Sequence, residues 1–375
     1  MTPIAAEELR AVAGSFDIPG RLLSIEAYGS GHINGTYRSA FEASGGHARF
    51  IHQRINRNVF PKPEEVMDNI ARVLEHLRAK LRARGEPDDR ALTLVPARDG
   101  RTWVRDGQGE YWRTYRFIEG SRGLDLIEDD GQARRIAAAA AAFIADLADL
   151  DGPPLHQTIP AFHDARRRYR MFRAALETDA AGRAGSVRAE IDWFLANEDR
   201  ACVLSDALAD GRLPARICHN DTKANNILLD ESSGEALCVI DLDTVMGGSA
   251  LYDFGDLVRT ATGSAAEDES EAARMRFLPG RFRALARGFC GGMSRGGGLT
   301  PAELSLMPEA GRAMAAVIGI RFLTDYLSGD VYYKCARPGH NRDRCRTQIA
   351  LASSMDESRS AIEDAMAEAA RAARG

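Results

Sequence analysis

One short polar segment restricts the architecture of this chain more than any other feature. The segment is ICHNDTKANNILLD, residues 217–230, which sets a His, two Asp, a Lys and three Asn among apolar residues. Apolar runs at 227–229 and 237–240 flank a turn at 230–234, and this pattern predicts two short buried strands joined as a hairpin. The surrounding sequence is helical in character, so the hairpin is a β-like island, residues 217–243, within a helical unit.

The character of the chain changes near residues 117–121. Before that point, strand patterns and Asp-Gly turns dominate, with one helix whose apolar positions run from Val66 to Leu81 at helical spacing. Beyond it, the helical patterns cover 130–150, 162–178, 186–209, 270–293, 302–329 and 353–372. The sequence therefore predicts an α+β, bilobal fold. A small β-rich N-lobe, residues 1–118, would be followed by a larger helical C-lobe, residues 119–375.

Composition excludes several classes of protein. Of the 375 residues, 45% are hydrophobic and 27% charged, and a net charge of −5 gives no electrostatic reason for nucleic-acid binding. No apolar run approaches the roughly 18 residues of a membrane span, and the N-terminus lacks the apolar core of a signal peptide. We expect a cytoplasmic protein with no nucleic-acid or membrane partner and with free thiols. The sequence does not indicate an oligomeric state.

The polar segment has the spacing of a phosphoryl-transfer site. His219, Asp221 and Asn226 follow the pattern H-x-D-x-x-x-x-N, and Asp241 comes at the end of the second predicted strand. Such a site needs a carboxylate to accept the proton of an attacking hydroxyl, and an amide and a second carboxylate to bind Mg²⁺. The alternative is that these groups only satisfy the turns of a loop. The hairpin favours the functional interpretation, because it would bring the three side chains together.

A glycine-bearing turn lies between the first two predicted strands. Glycines at 29, 31 and 35 allow backbone N–H groups to approach phosphates without a Cβ clash. No helix follows directly, which excludes a dinucleotide-binding βαβ unit. Its place upstream of the polar segment favours a role in covering phosphates.

These segments together resemble the aminoglycoside phosphotransferase and choline kinase superfamily, which has the protein-kinase-like fold. Within it, the chain is most similar to the N-acetylhexosamine 1-kinase group. The resemblance rests on GSGHINGTY (29–37), QRINRNVF (53–60), WRTYRFIEGS (112–121), CHNDTKANNILLD (218–230), VIDLDTVMGGSALYDFGDLVR (239–259), IRFLTDYLSGDVYYK (320–334) and HNRDRCRTQ (340–348). Asp241 is followed by Leu-Asp rather than Phe-Gly and no Ala-Pro-Glu follows, which argues against a protein kinase.

The resemblance implies catalytic, metal and nucleotide roles. Asp221 would be the catalytic base, with His219 bracing its loop and Lys223 near the transferred phosphoryl group. The implied Mg²⁺ site comprises Asn226, Asp241 and, with a less certain role, Asp243. The implied nucleotide contacts are the loop residues Gly29, Ser30, Gly31 and Gly35 and the hinge residues Arg116, Phe117 and Ile118. Gln53 stands where protein kinases have a Lys, and we expect its neighbour Arg54 to reach the phosphates.

The acceptor would be a sugar. Arg321 and Asp325 fall on one helix face, and an intrahelical ion pair is the alternative to a binding role. By resemblance, Arg321 and Tyr332 match sugar contacts, and His32 and Asn34 are further acceptor candidates. We expect an ATP- and Mg²⁺-dependent kinase of the anomeric O1 of an N-acetylhexosamine. The alternatives are a kinase of an aminoglycoside, a choline-like amine or homoserine, and a non-catalytic nucleotide-binding pseudokinase.

Overall fold

The computed structural model describes residues 4–29, 33–43, 46–124 and 126–373. Its strands are β1 (Arg21–Ala27), β2 (Gly35–Ala43), β3 (Gly46–Arg54), β4 (Val104–Arg105), β5 (Tyr111–Arg116), β6 (Ser121–Arg122), β7 (Arg216–Cys218), β8 (Ile227–Asp230), β9 (Ala236–Val239) and β10 (Met246–Gly248). Its α-helices are α1 (Ala6–Gly14), α2 (Pro63–Arg84), α3 (Asp130–Asp146), α4 (Ala165–Thr178), α5 (Arg188–Ala196), α6 (Glu198–Ala209), α7 (Ala250–Ala261), α8 (Pro279–Met293), α9 (Pro301–Leu327), α10 (His340–Glu357) and α11 (Arg359–Ala372).

The N-terminal part is one antiparallel sheet with a helix on each face. The strand order is β1-β2-β3-β5-β4. The predicted helix α2 begins with Pro63, whose fixed φ suits a first helical turn, and ends at Gly85, whose φ of 67° needs no Cβ. Its apolar face packs in one core with Tyr111 and Tyr115 of β5. The helix α1, which the sequence did not predict, packs in a second core that includes Trp112 on the opposite face of the same strand.

The C-terminal part is helical around two small sheets. Strand β7 pairs with β10, while β8 and β9 form the predicted hairpin and β6 joins them at β8. The expected α+β, two-lobed architecture is therefore confirmed. None of the helices among the described residues is both long and apolar enough to cross a membrane.

Two helices differ from the sequence expectation. Helix α7 was missed because all but one of its residues are buried, including Asp253, Asp256 and Arg259, so no polar face marks it. Helix α10 begins at His340 rather than at residue 353, and its buried polar residues hide its inner face in the same way. Asp253 of α7 contacts the loop at 219–226, and Asn341 of α10 contacts Asp325 at the end of α9.

Candidate active site

The predicted catalytic loop, residues 219–226, lies between β7 and β8 and is held by α7. The buried carboxylate of Asp253 accepts hydrogen bonds from the backbone N–H groups of His219 (2.8 Å) and Asn220 (2.7 Å). Burial raises the pKa of Asp253 to about 6. On the other side, Nε2 of His219 lies 2.8 Å from the carbonyl oxygen of Ile240, which follows β9. The His219 ring and the Asp253 carboxylate thus fix the start of the loop.

Asp221 carries its carboxylate beside two nitrogen donors of the same loop. Nζ of Lys223 lies 3.0 Å from its Oδ2, and Nδ2 of Asn226 donates to its backbone carbonyl (2.7 Å). Burial alone would raise the pKa of Asp221, but the neighbouring positive charges, with Lys223 first, and the hydrogen bond from Lys223 together outweigh burial, and the pKa lies below its ordinary value. The carboxylate is therefore ionised at neutral pH and can accept a proton from a hydroxyl group.

Asp241 is the carboxylate without a hydrogen-bond donor among the described residues. It has a left-handed backbone conformation, φ 61°, at the end of the β8–β9 hairpin. Burial, reinforced by the like charges of Asp243 and Asp221, raises the pKa of Asp241 to about 6. Such a group lowers its free energy when a cation approaches.

Asp243 is engaged by protein donors on both oxygens. Nη1 of Arg113 hydrogen-bonds to Oδ1 of Asp243, and Nδ2 of Asn34 donates to Oδ2 (2.6 Å). Both the Arg113 and Asp243 side chains are buried. Each carboxylate oxygen of Asp243 thus has one nitrogen donor and keeps a further lone pair, and the expected role of Asp243 as a metal ligand stays a prediction. The same contacts place Asn34 beside Asp243.

The oxygens that are left suit a hard divalent cation. Asn226 uses its amide nitrogen on Asp221, so its Oδ1 can face a cation together with the carboxylate of Asp241. Mg²⁺ is usually held by one or two carboxylates and by substrate phosphates, not by a cage of protein ligands. In keeping with this, the described part of the chain contains no group of three His, Cys, Asp or Glu able to hold a metal alone. The donor set fits Mg²⁺ bound together with a nucleotide.

A cavity of about 470 Å³ runs from these groups to the hinge between the lobes. It is lined by Tyr28, Gly29, Thr36, Ile51, Gln53, Leu92, Tyr115, Arg116, Phe117, Ile118, Ser121, Gly123, Asn225, Asn226, Leu228, Ile240 and Asp241. Apolar side chains form its walls, and Asn226 and Asp241 form one polar end, which suits a flat base and a charged tail. A hollow of about 590 Å³ between α5 and α10 contains none of the predicted site residues.

The predicted nucleotide contacts divide into three groups. Gly29 and the hinge residues Arg116, Phe117 and Ile118 line the cavity. The N–H groups of Arg116 and Phe117 already donate to Thr93 and Arg49, so a base would meet the carbonyl groups of the hinge or the N–H of Ile118. Gly35 pairs with Arg54 at the β2–β3 edge and does not line the cavity. Ser30 and Gly31 lie outside the described residues, as does the acceptor candidate His32.

Gln53, not Arg54, faces the cavity. Side chains alternate along β3, and Ile51 and Gln53 line the cavity while Arg54 is absent from its walls. Across the sheet, Arg54 is paired with Trp112, whose ring is in the core on the opposite face. This geometry does not support the expectation that Arg54 reaches the phosphates, and a phosphate contact of Gln53 stays a prediction.

Asp325 has a structural role that the sequence did not predict. Its Oδ1 accepts the N–H groups of Val331 (2.9 Å) and Tyr332 (2.8 Å), and its Oδ2 accepts the N–H of Tyr333 (2.9 Å). Nδ2 of Asn341 also donates to Oδ2 (2.8 Å). With four donors the carboxylate is saturated, and it forms neither the expected ion pair with the residue one turn before it nor a free contact for a substrate. Its function is to shape the loop after α9.

Arg321 lies near the C-terminal end of α9, and Tyr332 lies in the loop that follows this helix. The guanidinium of Arg321 stacks on the rings of Phe162 (5.3 Å) and Tyr333 (5.6 Å), and no carboxylate of the described residues lies within 4 Å of it. Phe162 in turn stacks on His163, whose Nε2 lies 2.8 Å from the carbonyl oxygen of Asn220. This row of side chains joins Arg321 to the catalytic loop. Tyr332 is 60% exposed, so its ring is free to contact a ligand.

Sequence reasoning missed three residues that hold the site. Arg113 lies at an inward position of a buried strand, and a charge at such a position is a signal that alternation could have revealed. Asp253 and His163 give no such signal. Each of them acts by contacting the loop at 219–226, which is distant from it in the sequence.

Solved structures share the fold of this chain. An aminoglycoside phosphotransferase from Alicyclobacillus acidocaldarius subsp. acidocaldarius is 14% identical, with a TM-score of 0.58 and 98% of each chain covered. A spectinomycin phosphotransferase in complex with ADP and spectinomycin is 11% identical, with a TM-score of 0.56, covering 95% of this chain and 100% of the other. Choline kinase from Cryptosporidium parvum Iowa II is 12% identical, with a TM-score of 0.56 and 89% of each chain covered. At these identities the likeness shows the fold alone.

The sequence itself carries a more specific match. Residues 24–288 match the profile of the phosphotransferase enzyme family. The matched region includes the cavity that Asp241 and Asn226 line, the loop at 219–226 and helix α7, and it spans well over half of the 375 residues. The chain therefore belongs to the phosphotransferase enzyme family.

Proposed function

We propose that this protein is an ATP- and Mg²⁺-dependent small-molecule kinase that transfers the γ-phosphoryl group to a sugar hydroxyl. The observation that carries the proposal is the convergence of Asp221, Asn226 and Asp241 at one end of the nucleotide-sized cavity. A loop that merely satisfied its own turns would not leave the Asp241 carboxylate without a donor.

The chain's own residues supply a base and a positive charge. Asp221, kept ionised by Lys223, would accept the hydrogen bond and then the proton of the attacking hydroxyl. Lys223 lies beside this carboxylate and would stabilise negative charge on the phosphoryl oxygens as they pass. Asn226 and Asp241 would hold Mg²⁺, which, when bound, neutralises charge on the phosphates.

We favour the anomeric O1 of an N-acetylhexosamine as the attacking group. The support is the resemblance of the Arg321 and Tyr332 segments to sugar contacts, together with the stacked aromatic groups around Arg321. Aromatic faces and hydrogen-bonding arginines suit a polyhydroxylated ring. An aminoglycoside or a choline-like amine is positively charged and would be repelled by Arg321, which has no carboxylate within 4 Å in the described structure.

The experiment is an assay of ATP consumption by the purified protein with Mg²⁺ and a panel of acceptors. The panel contains N-acetylglucosamine, N-acetylgalactosamine, plain hexoses, choline, homoserine and an aminoglycoside, with phosphorus NMR on the product. A sugar 1-phosphate supports the full proposal. Turnover with an amine or another alcohol alone would refute the sugar acceptor and leave the kinase.

A variant tests the catalytic base. Asp221→Asn should lower kcat by about 10²- to 10⁴-fold, the usual contribution of a general base, with nucleotide affinity nearly unchanged. The matched control is Asp192→Asn, which removes an exposed carboxylate that pairs with Arg188 on α5. Full activity of Asp221→Asn would contradict the mechanism. Nucleotide binding by the wild type without turnover on any acceptor would favour the pseudokinase alternative.

A further inference from the structure

The guanidinium of Arg113 is buried at the metal end of the site. It has no exposed surface, and its Nε and Nη2 both donate to Oε1 of Gln53, at 3.0 and 2.8 Å. Its Nη1 donates to Asp243. A buried charge is costly unless it is paired and hydrogen-bonded. The planar guanidinium of Arg113 meets this condition by holding Gln53 of β3 and Asp243, in the loop after β9, at the same time.

Asp243 extends this hydrogen-bond network to the residues that precede β2. Its second oxygen accepts from Nδ2 of Asn34 (2.6 Å), and Oδ1 of Asn34 accepts the backbone N–H of Asn56 (3.0 Å). Asn56 also donates from Nδ2 to the carbonyl of Ile33 (3.1 Å). One continuous series of hydrogen bonds therefore connects Arg113 with residues 33 and 34.

Arg113 influences the cavity through its hydrogen bonds to Gln53, which lines it. Because Oε1 of Gln53 faces Arg113, its Nε2 is directed away and donates to Oγ1 of Thr36 (3.2 Å), and both Gln53 and Thr36 line the cavity. Because the Arg113 guanidinium has no exposed surface and is paired with Asp243, it acts on the cavity through the side chains that it holds.

We propose that Arg113 is a positioning residue that sets Gln53, Asp243 and Asn34 for nucleotide binding. The inference rests on the proposed kinase function. It differs from a purely structural ion pair, because it requires that nucleotide affinity depend on the fork geometry of Arg113.

The test compares two equivalent Arg→Lys changes. Arg113→Lys keeps the charge but cannot hold Gln53 and Asp243 together, whereas Arg312→Lys makes the same change at a buried arginine that binds Asp356 between α9 and α10. Binding of Mg-ADP is measured by calorimetry. We expect Kd to rise about 10- to 100-fold for Arg113→Lys, as for other supporting residues around metal sites. Arg312→Lys should leave Kd unchanged, and the acceptor KM should be unchanged in both variants.

Asn34→Ala provides a second measurement if Arg113→Lys does not fold. It removes the contact with Asp243 from a partly exposed position, and we expect a rise in the Kd of Mg-ADP in the same direction. Folded Arg113→Lys protein with wild-type Kd would overturn the inference, as would a wild-type Kd for Asn34→Ala when Arg113→Lys cannot be purified. If the wild type binds Mg-ADP but phosphorylates no acceptor, the kinase proposal fails while the effect on Kd still tests Arg113. If the wild type does not bind Mg-ADP, both are overturned.

Discussion

The saturated carboxylate of Asp325 gives a prediction that separates a structural role from a ligand contact. In Asp325→Asn, one oxygen becomes an NH₂ group that faces two hydrogen-bond donors. The replaced oxygen would thus lose both of its partners. These partners are the N–H groups of Val331 and Tyr332 for Oδ1, or the N–H of Tyr333 and Nδ2 of Asn341 for Oδ2. The loop that carries Tyr332 would then loosen.

The size of the effect follows from those contacts. A hydrogen bond to a charged group contributes about 1.5–3 kcal/mol, and two are lost. Because the loop lies at the surface and Val331 is 78% exposed, water can satisfy part of what is freed. We therefore expect the free energy of unfolding to fall by about 3 kcal/mol, near the lower end of the sum.

Urea denaturation and steady-state kinetics together check this prediction. The free energy of unfolding should fall and the acceptor KM should rise, since Tyr332 is displaced, while the KM for ATP stays constant. The control Asp192→Asn removes an exposed charge and should change stability by less than about 1 kcal/mol. Unchanged stability with a large increase in acceptor KM would refute the reasoning, because Asp325 would then contact the acceptor directly.

Two further predictions concern the catalytic loop and the N-terminal sheet. A Cβ at Gly248 would lie 2.6 Å from Oδ1 of Asn220, so Gly248→Ala should displace the loop and lower kcat about 10- to 100-fold in turnover assays. The control Gly247→Ala should leave kcat unchanged, because a Cβ there would lie 3.7 Å from its nearest neighbour. Equal activity of the two variants would contradict this prediction. His52 is buried and hydrogen-bonded at both ring nitrogens, and burial lowers its pKa to about 4 from 6.5. Because the folded state disfavours the protonated ring, the contribution of neutral His52 to the free energy of unfolding is fully present above pH ~6.5 and is lost as the pH falls towards ~4. Between pH 7.5 and 5, urea denaturation should show the advantage of wild type over His52→Gln shrinking by about 2 kcal/mol, and parallel pH curves would contradict the assignment.

Local patterns in the sequence were sufficient for the central hairpin. The apolar runs around the turn at 230–234 predicted two strands, and in the structure Ile227 pairs with Val239. That pairing brings Asn226 and Asp241 to the same wall of the cavity, as the spacing suggested. Period-two and period-3.6 patterns are local properties of the chain, which is why these elements could be read from it.

Contacts between distant segments could not be read in this way. Arg113 and Asp243 are 130 residues apart, and nothing in either segment identifies the other as its partner. Asp325 seemed to face Arg321 on a helix, but its carboxylate instead caps the loop that follows the helix. In each case a polar side chain hydrogen-bonds to a backbone or side-chain partner that only the tertiary structure brings within reach.

The balance of charge at the centre explains why each carboxylate there has a different environment. Asp221 is paired with Lys223 and Asp243 with Arg113, so two of the three negative charges are compensated by the chain itself. The third, on Asp241, has no donor among the described residues, and burial, reinforced by the charges of Asp243 and Asp221, raises its pKa. A site that compensated all three would have little affinity for a divalent cation, and one that compensated none would be costly to fold. We therefore propose that a metal ion and the phosphates bound to it would lie at this single uncompensated carboxylate, beside the amide oxygen of Asn226.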